Sequence, residues 1–320
     1  MKPKVYITRR LPQVIIDKLS SIFEVKMWGK EEEPVPREIL IEEVQQIDGL
    51  FCLLTETIDQ ELLANAQHLK IIANMAVGYN NIDIQAATEK GIKVTNTPGV
   101  LTETTADLTF ALLMATARRV VEASDYLRNG KWETWAPMQL TGQDIYGATI
   151  GIIGMGRIGQ ALAKRAKGFD MKIIYSSRTR KSHLDKKLGM EYVELNDLLK
   201  QSDFVSILIP YTNEVHHLIG ENELRLMKKS AILINTARGG IVDETALYNA
   251  LKKGDIWAAG LDVFEQEPLS LVSPLLTLPN VVTLPHIGSA SKATRLKMAD
   301  MAAENIIRVL SGEAALTPVN

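Results

Sequence analysis

The chain has 320 residues, of which 46% are hydrophobic and 23% charged, and its formal net charge is −2. This length accommodates about two domains of ordinary size, and the composition is typical of a globular protein. A pI near 6.3 gives no electrostatic reason to expect nucleic-acid binding. No apolar run approaches the roughly 20 residues that a membrane span needs. Neither nucleic acid nor a membrane is therefore an expected partner.

Cysteine usage and the N-terminal pattern favour the cytoplasm. Cys52 is the one cysteine of the chain, which excludes an internal disulfide and suits a reducing compartment. Its neighbours are apolar, so we expect a buried side chain rather than a nucleophile. The first residues lead directly into a strand pattern, without the apolar core of a signal peptide. We expect a cytoplasmic protein and predict no metal site.

The N-terminal part of the chain alternates strand and helix patterns. Strands are predicted at 5–8, 23–27, 49–54, 69–74 and 92–94. Helices are predicted at 11–19, 39–44, 59–66 and 82–90, and Asp59 is the predicted N-cap of the third. Such alternation predicts a parallel sheet with helices on both faces.

A long helix and a loop-rich segment interrupt this alternation. Apolar residues recur at helical spacing from residue 101 to about residue 128, which predicts one amphipathic helix. Residues 130–147, which include Trp135, are predicted to form a loop. The alternation of strands and helices begins again only after this loop.

A glycine-rich turn opens the second half of the chain. An apolar strand at 150–153 runs into Gly154, Gly156 and Gly159, in the pattern Gly-x-Gly-x-x-Gly, and a helical pattern follows at once. This order is the context that a dinucleotide-binding motif requires. Gly154 would allow a tight turn, Gly156 a close approach of the backbone to a pyrophosphate, and Gly159 close packing of helix on strand. The alternative is an ordinary glycine-rich turn between a strand and a helix.

The remaining elements predict a second parallel sheet. Further strands are expected at 172–175, 204–209, 231–235, 258–261 and 281–283, and helices at 196–201, 224–227, 245–253 and 292–310. The fold class is therefore α/β, with two doubly wound parallel-sheet domains. A flavodoxin-like substrate domain is predicted from residues 1–98 and 287–320, and an NAD(P)-binding Rossmann domain from residues 99–286. We expect a ligand cleft between them.

The loop after the second strand of the Rossmann pattern favours NADP(H). An NAD-selective domain carries an acidic residue there, which binds the ribose 2′-hydroxyl. Here the strand is followed by Ser177, Arg178, Thr179 and Arg180. Hydroxyl and guanidinium groups suit a 2′-phosphate. NADP(H) is the predicted preference, with NAD(H) possible, and the alternative is a solvated basic loop.

Three residues that follow later strands are candidates for catalysis. Arg238, Glu267 and His286 each lie just past a predicted strand, at the end where open α/β sheets bind ligands. An arginine there can bind a substrate carboxylate with two hydrogen bonds. A histidine is the usual proton donor for a carbonyl near neutral pH, and a nearby carboxylate favours its protonated form. Taken singly, each residue has an ordinary structural alternative.

The motifs together resemble the D-2-hydroxyacid dehydrogenase family, and most specifically its glyoxylate/hydroxypyruvate reductase branch. The similarity covers nearly the whole chain and includes the Gly-x-Gly-x-x-Gly turn. It rests further on segments that occur in family order, at 77–83, 102–107, 129–135, 177–179, 235–240, 262–268 and 285–290.

The resemblance implies a role for each candidate. Arg238 would bind and polarise a 2-oxoacid, His286 would give a proton to its carbonyl oxygen, and Glu267 would hold and charge His286. Backbone N–H groups of Val77 and Gly78 would bind the substrate carboxylate. Further residues would line the cofactor: Thr105, Gly154, Gly156, Arg157, Ile158, Gly159, Ser177, Arg178, Thr179, Pro210, Thr236, Ala237, Asp262 and Gly288.

The resemblance also implies a homodimer, in which Trp135 of the partner subunit borders the active site. The expected reaction is the NADPH-dependent reduction of glyoxylate to glycolate and of hydroxypyruvate to D-glycerate. Another 2-oxoacid, such as 3-phosphohydroxypyruvate, is the first alternative. The run Thr55-Glu56-Thr57 offers no basic residue for a phosphate and argues weakly against it. A dinucleotide-sensing binding protein is the second alternative.

Overall fold

A computed structural model describes residues 2–320 of the chain, so residue 1 of the predicted substrate domain lies outside the described residues. The chain divides into two compact units. One contains the residues up to Leu101 together with Ala290–Asn320, and the other contains Thr102–Ser289. The unit boundaries fall after residues 101 and 289, each three residues beyond the predicted boundaries at 98 and 286.

The first unit is built on a five-stranded parallel sheet with the order β2-β1-β3-β4-β5. Its strands are β1 (Lys4–Ile7), β2 (Glu24–Met27), β3 (Gly49–Cys52), β4 (Ile71–Asn74) and β5 (Lys93–Thr95). Its helices are α1 (Gln13–Ser20), α2 (Arg37–Val44), α3 (Gln60–Asn65), α4 (Ile84–Glu89) and the C-terminal helix, Lys292–Leu310. This strand order is the flavodoxin-like arrangement.

Strand position explains the sequence patterns of the first unit. β3 and β4 are central and buried along their whole length, so each reads as an uninterrupted apolar run, whereas the edge strand β2 is partly exposed. Asp59 caps α3 by accepting a hydrogen bond from the Leu62 N–H, which confirms the predicted cap. Cys52 is buried, also as predicted.

The second unit contains a seven-stranded parallel sheet with the order β12-β11-β10-β9-β6-β7-β8. Its strands are β6 (Thr149–Ile153), β7 (Lys172–Ser176), β8 (Met190–Tyr192), β9 (Phe204–Ile207), β10 (Ile232–Asn235), β11 (Ala258–Leu261) and β12 (Val281–Thr283). Its helices are α5 (Thr102–Ala117), α6 (Val120–Arg128), α7 (Arg157–Lys167), α8 (Ser182–Leu188), α9 (Leu195–Gln201), α10 (Glu221–Leu226) and α11 (Glu244–Lys253). The order reverses between β6 and β9, which is the switch point of a Rossmann fold. Two parallel-sheet α/β domains are therefore confirmed.

The single long helix predicted from residue 101 to about residue 128 is wrong. Helix α5 ends at Ala117, Arg119 adopts a left-handed φ of 52°, and α6 starts at Val120. The Ala117 carbonyl accepts a hydrogen bond from the Gln143 N–H, 2.9 Å away, so the returning loop ends the helix. The Arg119 guanidinium binds the Glu122 carboxylate and fixes the turn.

Two short elements after β7 were not predicted. Helix α8 and the edge strand β8 fall in a polar stretch that lacks apolar periodicity, where local sequence favours a loop. Among the described residues, no helix combines the length and apolar character needed to cross a membrane.

Candidate active site

The loops that carry the predicted site residues leave one edge of the seven-stranded sheet. All of its strands are parallel, so their carboxyl ends lie along a single edge. That edge carries Gly154 after β6, Ser177 after β7, Pro210 after β9, Arg238 after β10, Glu267 after β11 and His286 after β12. Ligands of open α/β sheets bind at such an edge, near the switch point.

His286 and Glu267 form a hydrogen-bonded pair. The His286 Nδ1 atom lies 2.6 Å from the Glu267 Oε2 atom, and the two side chains are 24% and 27% exposed. The other carboxylate oxygen of Glu267 accepts a hydrogen bond from the Phe264 N–H at 3.0 Å. Because β11 and β12 are neighbours, the loops that follow them bring these residues together. The carboxylate holds one ring nitrogen, which leaves Nε2 as the other polar atom of the ring.

The charges around this pair keep Glu267 ionised. Burial raises the pKa of Glu267, but the hydrogen bond and charge of His286, the Phe264 N–H and the charge of Arg238 lower it, and its pKa lies below the ordinary value. The carboxylate is therefore an anion at neutral pH and a charged acceptor for the hydrogen bond with the ring.

Arg238 is half-buried at the end of β10 and faces the charge of Glu267. Burial lowers the pKa of its guanidinium, and the Glu267 carboxylate opposes that shift. The Asn235 side chain holds the turn: it donates to the Arg238 carbonyl at 2.9 Å and accepts from the Ala237 N–H at 3.0 Å. The ordinary pKa of an arginine is so high that the side chain stays charged after this lowering, so the site retains a positive group.

Asp262 anchors the backbone beside His286. It is fully buried, and its two oxygens accept hydrogen bonds from the N–H groups of Ile287 and Gly288, both at 2.8 Å. Burial raises its pKa above the ordinary value, although these hydrogen bonds and the charge of His286 oppose the shift. His286 itself has a left-handed φ of 53°, which is uncommon for a residue with a Cβ atom. The Asp262 anchor holds the backbone that follows it.

The three glycines of the turn after β6 differ in what their positions allow. Gly154 has φ 103°, and an added Cβ would lie 2.5 Å from the Leu208 carbonyl oxygen. At Gly159 a Cβ would lie 2.2 Å from the Gly154 carbonyl oxygen. At Gly156, the N-cap of α7, nothing lies within 4 Å of such a Cβ. Protein atoms therefore fill the space beside Gly154 and Gly159. The space beside Gly156 is open and lies at a helix N-terminus, where anions bind readily.

The loop after β7 carries exposed basic side chains. Arg178 and Thr179 are exposed, and the Ser177 hydroxyl donates to the Thr179 carbonyl at 2.9 Å. The Arg180 Nε atom, however, lies 2.9 Å from a carboxylate oxygen of Asp185, which α8 brings to the loop. Of the two arginines expected to face a phosphate, Arg180 is thus engaged by a carboxylate.

A chain of threonine hydroxyls links α5 to the end of β10. The Thr109 hydroxyl donates to the Thr105 carbonyl at 2.7 Å, so its contact with the Thr236 hydroxyl, also 2.7 Å, has Thr236 as donor. All three residues are buried. Thr105 also lies against Gly288, where an added Cβ would be 3.5 Å from its methyl carbon. The predicted cofactor residues Thr105, Thr236 and Gly288 therefore lie around one part of the site.

The remaining predicted residues lie in the first unit, in the loop after α6 and in the first turn of α7. Val77 and Gly78 follow β4 in the first unit, where the side chains of Asn96 and Asn74 donate to their carbonyl oxygens at 2.8 and 3.0 Å. Trp135 belongs to the loop between α6 and β6 and is 76% exposed. Arg157 is exposed and Ile158 is half-buried in the first turn of α7.

Two acidic residues near the pair were missed by sequence reasoning. Glu244 and Glu265 exchange backbone-to-carboxylate hydrogen bonds of 3.0 and 2.7 Å next to Glu267. Glu265 lies within the 262–268 segment, but its partner Glu244 is 21 residues away and no spacing rule connects them. The sequence indicated only that the two residues follow neighbouring strands, β10 and β11.

Comparisons with known proteins agree with this geometry. Residues 110–288 match the model of the NAD-binding domain of D-isomer specific 2-hydroxyacid dehydrogenases. The glyoxylate reductase of Korarchaeum cryptofilum is 55% identical over 321 residues, which covers 100% of this chain and 96% of that protein.

Solved structures extend the similarity to both units. A protein of Thermus thermophilus superposes with a TM-score of 0.93 at 46% identity, over 99% of this chain and 100% of that chain. The NADPH-dependent glyoxylate/hydroxypyruvate reductase of Sinorhizobium meliloti, in complex with NADP and malonate, gives a TM-score of 0.87 at 34% identity, over 100% of this chain and 97% of that chain. The chain belongs to the D-isomer specific 2-hydroxyacid dehydrogenase family of oxidoreductases.

Proposed function

We propose that this protein reduces glyoxylate to glycolate and hydroxypyruvate to D-glycerate, with NADPH as hydride donor and His286 as general acid. Reduction of a 2-oxoacid is the activity of the relatives. The observation that carries the proposal is the hydrogen-bonded His286–Glu267 pair beside the half-buried Arg238, at the sheet edge that also carries the glycine turn. The bound nicotinamide would supply a hydride to the carbonyl carbon.

His286 supplies the proton that the reduction consumes. Glu267 holds Nδ1, so Nε2 is the ring atom that donates to the carbonyl oxygen as negative charge develops there. The ionised carboxylate holds the ring in one orientation for this transfer. Asp262 supports this geometry by holding the two N–H groups that follow His286.

Arg238 binds and polarises the substrate. Its planar guanidinium can contact the carboxylate and carbonyl oxygens of a 2-oxoacid together, which an ammonium cannot do with the same geometry. Its partial burial strengthens this interaction because less water screens the charge. We assign the remaining carboxylate contacts to the N–H groups of Val77 and Gly78, as the family resemblance implies.

The preference for NADPH rests on the loop after β7. Arg178 is exposed there beside the hydroxyl-bearing residues Ser177 and Thr179, a set that fits a 2′-phosphate. Arg180 is engaged by Asp185, so Arg178 is the main candidate for the phosphate contact. One relative whose name specifies NADPH has been solved with NADP. NAD(H) remains the alternative cofactor, although this loop places no acidic residue at the end of the strand.

The rest of the cofactor would lie along the same sheet edge. The open position at Gly156, with the first turn of α7 (Arg157, Ile158), fits a pyrophosphate. The residues assigned to the nicotinamide and its ribose are Thr105, Pro210, Thr236, Ala237, Asp262 and Gly288. On this basis we assign cofactor binding to the second unit and part of substrate binding to the first.

A homodimer in the cytoplasm is also part of the proposal. Helix α6 and the loop after it expose large apolar side chains, namely Val120, Val121, Leu127, Trp132, Trp135 and Met138. Exposed apolar patches of this kind usually mark protein–protein contacts. We assign this patch to the subunit interface and Trp135 of the partner subunit to the border of the active site. Sedimentation analysis across a dilution series tests the dimer.

A panel of 2-oxoacids distinguishes the alternatives. Loss of NADPH absorbance is expected with glyoxylate and hydroxypyruvate and less with 3-phosphohydroxypyruvate. The guanidiniums of Arg9 and Arg37 contact the loop at Thr55 and Thr57, but each is already bound to a carboxylate, of Glu56 and of Asp59 respectively. Preferential turnover of the phosphorylated acid would favour the first alternative. NADPH binding without turnover of any acid would favour a dinucleotide-sensing protein.

A further inference from the structure

We propose that Glu244 and Glu265 form a carboxylate clamp that positions Glu267 and Arg238 for the reduction. The inference rests on the proposed function, because it assigns to the clamp the placement of the catalytic groups named there. Neither residue of the clamp has a role in the reaction described above. Both are positioning residues, since they act through other side chains and backbone groups.

The clamp is a reciprocal pair of hydrogen bonds. The Glu265 N–H donates to Glu244 Oε1 at 2.7 Å, and the Glu244 N–H donates to Glu265 Oε1 at 3.0 Å. Hydrogen bonds to a charged acceptor are the stronger ones in proteins. Glu244 is the first residue of α11, so the clamp ties the loop after β11 to the N-terminus of a helix.

A third element supports the clamp. The His217 Nε2 atom lies 3.0 Å from Glu265 Oε1, and its Nδ1 atom lies 3.9 Å from Asp243, the N-cap residue of α11. The His217 N–H also donates to the Gly240 carbonyl at 2.8 Å. Residues 217, 240 and 265 therefore belong to one hydrogen-bonded assembly.

The clamped backbone contacts both parts of the catalytic site. Glu265 follows Phe264, whose N–H donates to Glu267 Oε1. On its other side this backbone packs against Gly239, the residue after Arg238, where an added Cβ would lie only 1.7 Å from the Phe264 carbonyl carbon. Any movement of residues 264–265 would therefore shift both Glu267 and the turn that carries Arg238.

The charges around His286 and Glu267 agree with this arrangement. The charged groups that bear on the pair within the second unit are Asp262, Arg238 and Glu244. Burial and the charges of Glu265 and Glu267 raise the pKa of Glu244, although the hydrogen bond from the Glu265 N–H opposes that shift. Holding a half-buried carboxylate beside another carboxylate is costly, and the reciprocal hydrogen bonds offset that cost.

Substitution of Glu244 tests the clamp. In Glu244→Ala the Glu265 N–H loses its acceptor, so kcat/KM for glyoxylate should fall about 10- to 100-fold, as for a small misplacement of catalytic groups. Glu244→Gln keeps an oxygen in place and should recover most of that loss. Amide hydrogen exchange at Phe264 and Glu265 should be faster in Glu244→Ala than in the wild-type protein, whereas Glu244→Gln should keep the slower exchange.

Glu223→Ala is the matched control. Glu223 also accepts a backbone hydrogen bond at a helix N-terminus, from the Gly220 N–H at 3.1 Å, and α10 carries no predicted site residue. Comparable thermal unfolding midpoints in the two alanine variants would show that any difference in activity is not a loss of folding.

Two results would overturn the clamp: wild-type kinetics together with unchanged amide exchange at Phe264 and Glu265 in Glu244→Ala, or an equal loss of activity in Glu223→Ala. If the wild-type protein reduces no 2-oxoacid, the proposed function fails. Amide exchange then still decides whether Glu244 holds residues 264–265 in place, because it needs no turnover.

Discussion

Glu267 holds the ring of His286, and Asp262 holds the backbone that follows it. The carboxylate of Glu267 lies 2.6 Å from the ring, and Asp262 holds the next two N–H groups. Glu267 and Asp262 can therefore affect the position of His286 without contacting the substrate. The proposed proton donor is a single side chain, but its position depends on the residues around it.

A charge-neutral replacement of Glu267 separates these contributions. Glu267 holds the ring as an anion, so the rate should fall where low pH protonates this carboxylate. The lowered pKa of Glu267 keeps it anionic at neutral pH and places that fall below the usual range of a glutamate. In Glu267→Gln, whose amide does not titrate, this fall at low pH should be absent, and kcat at neutral pH should drop about tenfold or more. The pH profile of kcat/KM checks this, and an unchanged profile would contradict the role of the carboxylate.

Arg178 offers a second test at the level of one residue. Arg178→Ala should raise the Kd for NADPH about 10-fold or more, the loss expected for a charge-assisted contact. The Kd for NADH should change little, because NADH lacks the 2′-phosphate. Fluorescence titration with both cofactors measures the two constants. Arg180→Ala is the matched control, since Asp185 already engages that guanidinium. Equal effects on the two cofactors would argue against a phosphate contact.

Sequence spacing could place Arg238, Glu267 and His286 after strands, because strand ends follow from apolar runs and parallel pairing. It could not show that Arg180 pairs with Asp185, or that Glu244 and Glu265 exchange hydrogen bonds. These contacts join residues through tertiary packing, and local sequence carries no record of them.

The glycine turn between β6 and α7 could be predicted from the sequence, because each of its glycines meets a separate physical requirement. Gly154 needs a positive φ, Gly159 lies against a backbone carbonyl, and Gly156 faces open space. Helix α5 shows the opposite case. Its end at Ala117 depends on a hydrogen bond from Gln143, in a loop that returns from α6, and the apolar periodicity continues past that point.

Two alanine substitutions in this turn should have different effects. Gly159→Ala places a Cβ 2.2 Å from a backbone oxygen, so it should destabilise the fold by about 1–3 kcal/mol, as overpacking does. Gly156→Ala meets no protein atom and should keep the thermal unfolding midpoint while weakening NADPH binding. Calorimetry and cofactor titration check both variants. Tight NADPH binding by Gly156→Ala would contradict a pyrophosphate at this position.

The whole molecule combines two parallel-sheet units whose fold class follows from the alternation of strands and helices. The C-terminal helix belongs to the first unit although it follows the second along the chain. The sheet orders are those of flavodoxin-like and Rossmann folds. The unpredicted β8 is an edge strand of three residues, too short for a periodic signal. The fold thus agrees with the family, whereas the choice of substrate depends on side chains that the fold alone does not specify.

The central claim is that His286 protonates a 2-oxoacid during reduction by NADPH. The most direct test is the rate of NADPH consumption with glyoxylate in wild-type protein and in His286→Ala, together with the NADPH dissociation constant of each. We predict that wild-type protein turns over and that His286→Ala loses about 10²–10⁴ in kcat with NADPH affinity unchanged. Near-wild-type turnover by His286→Ala would contradict the claim.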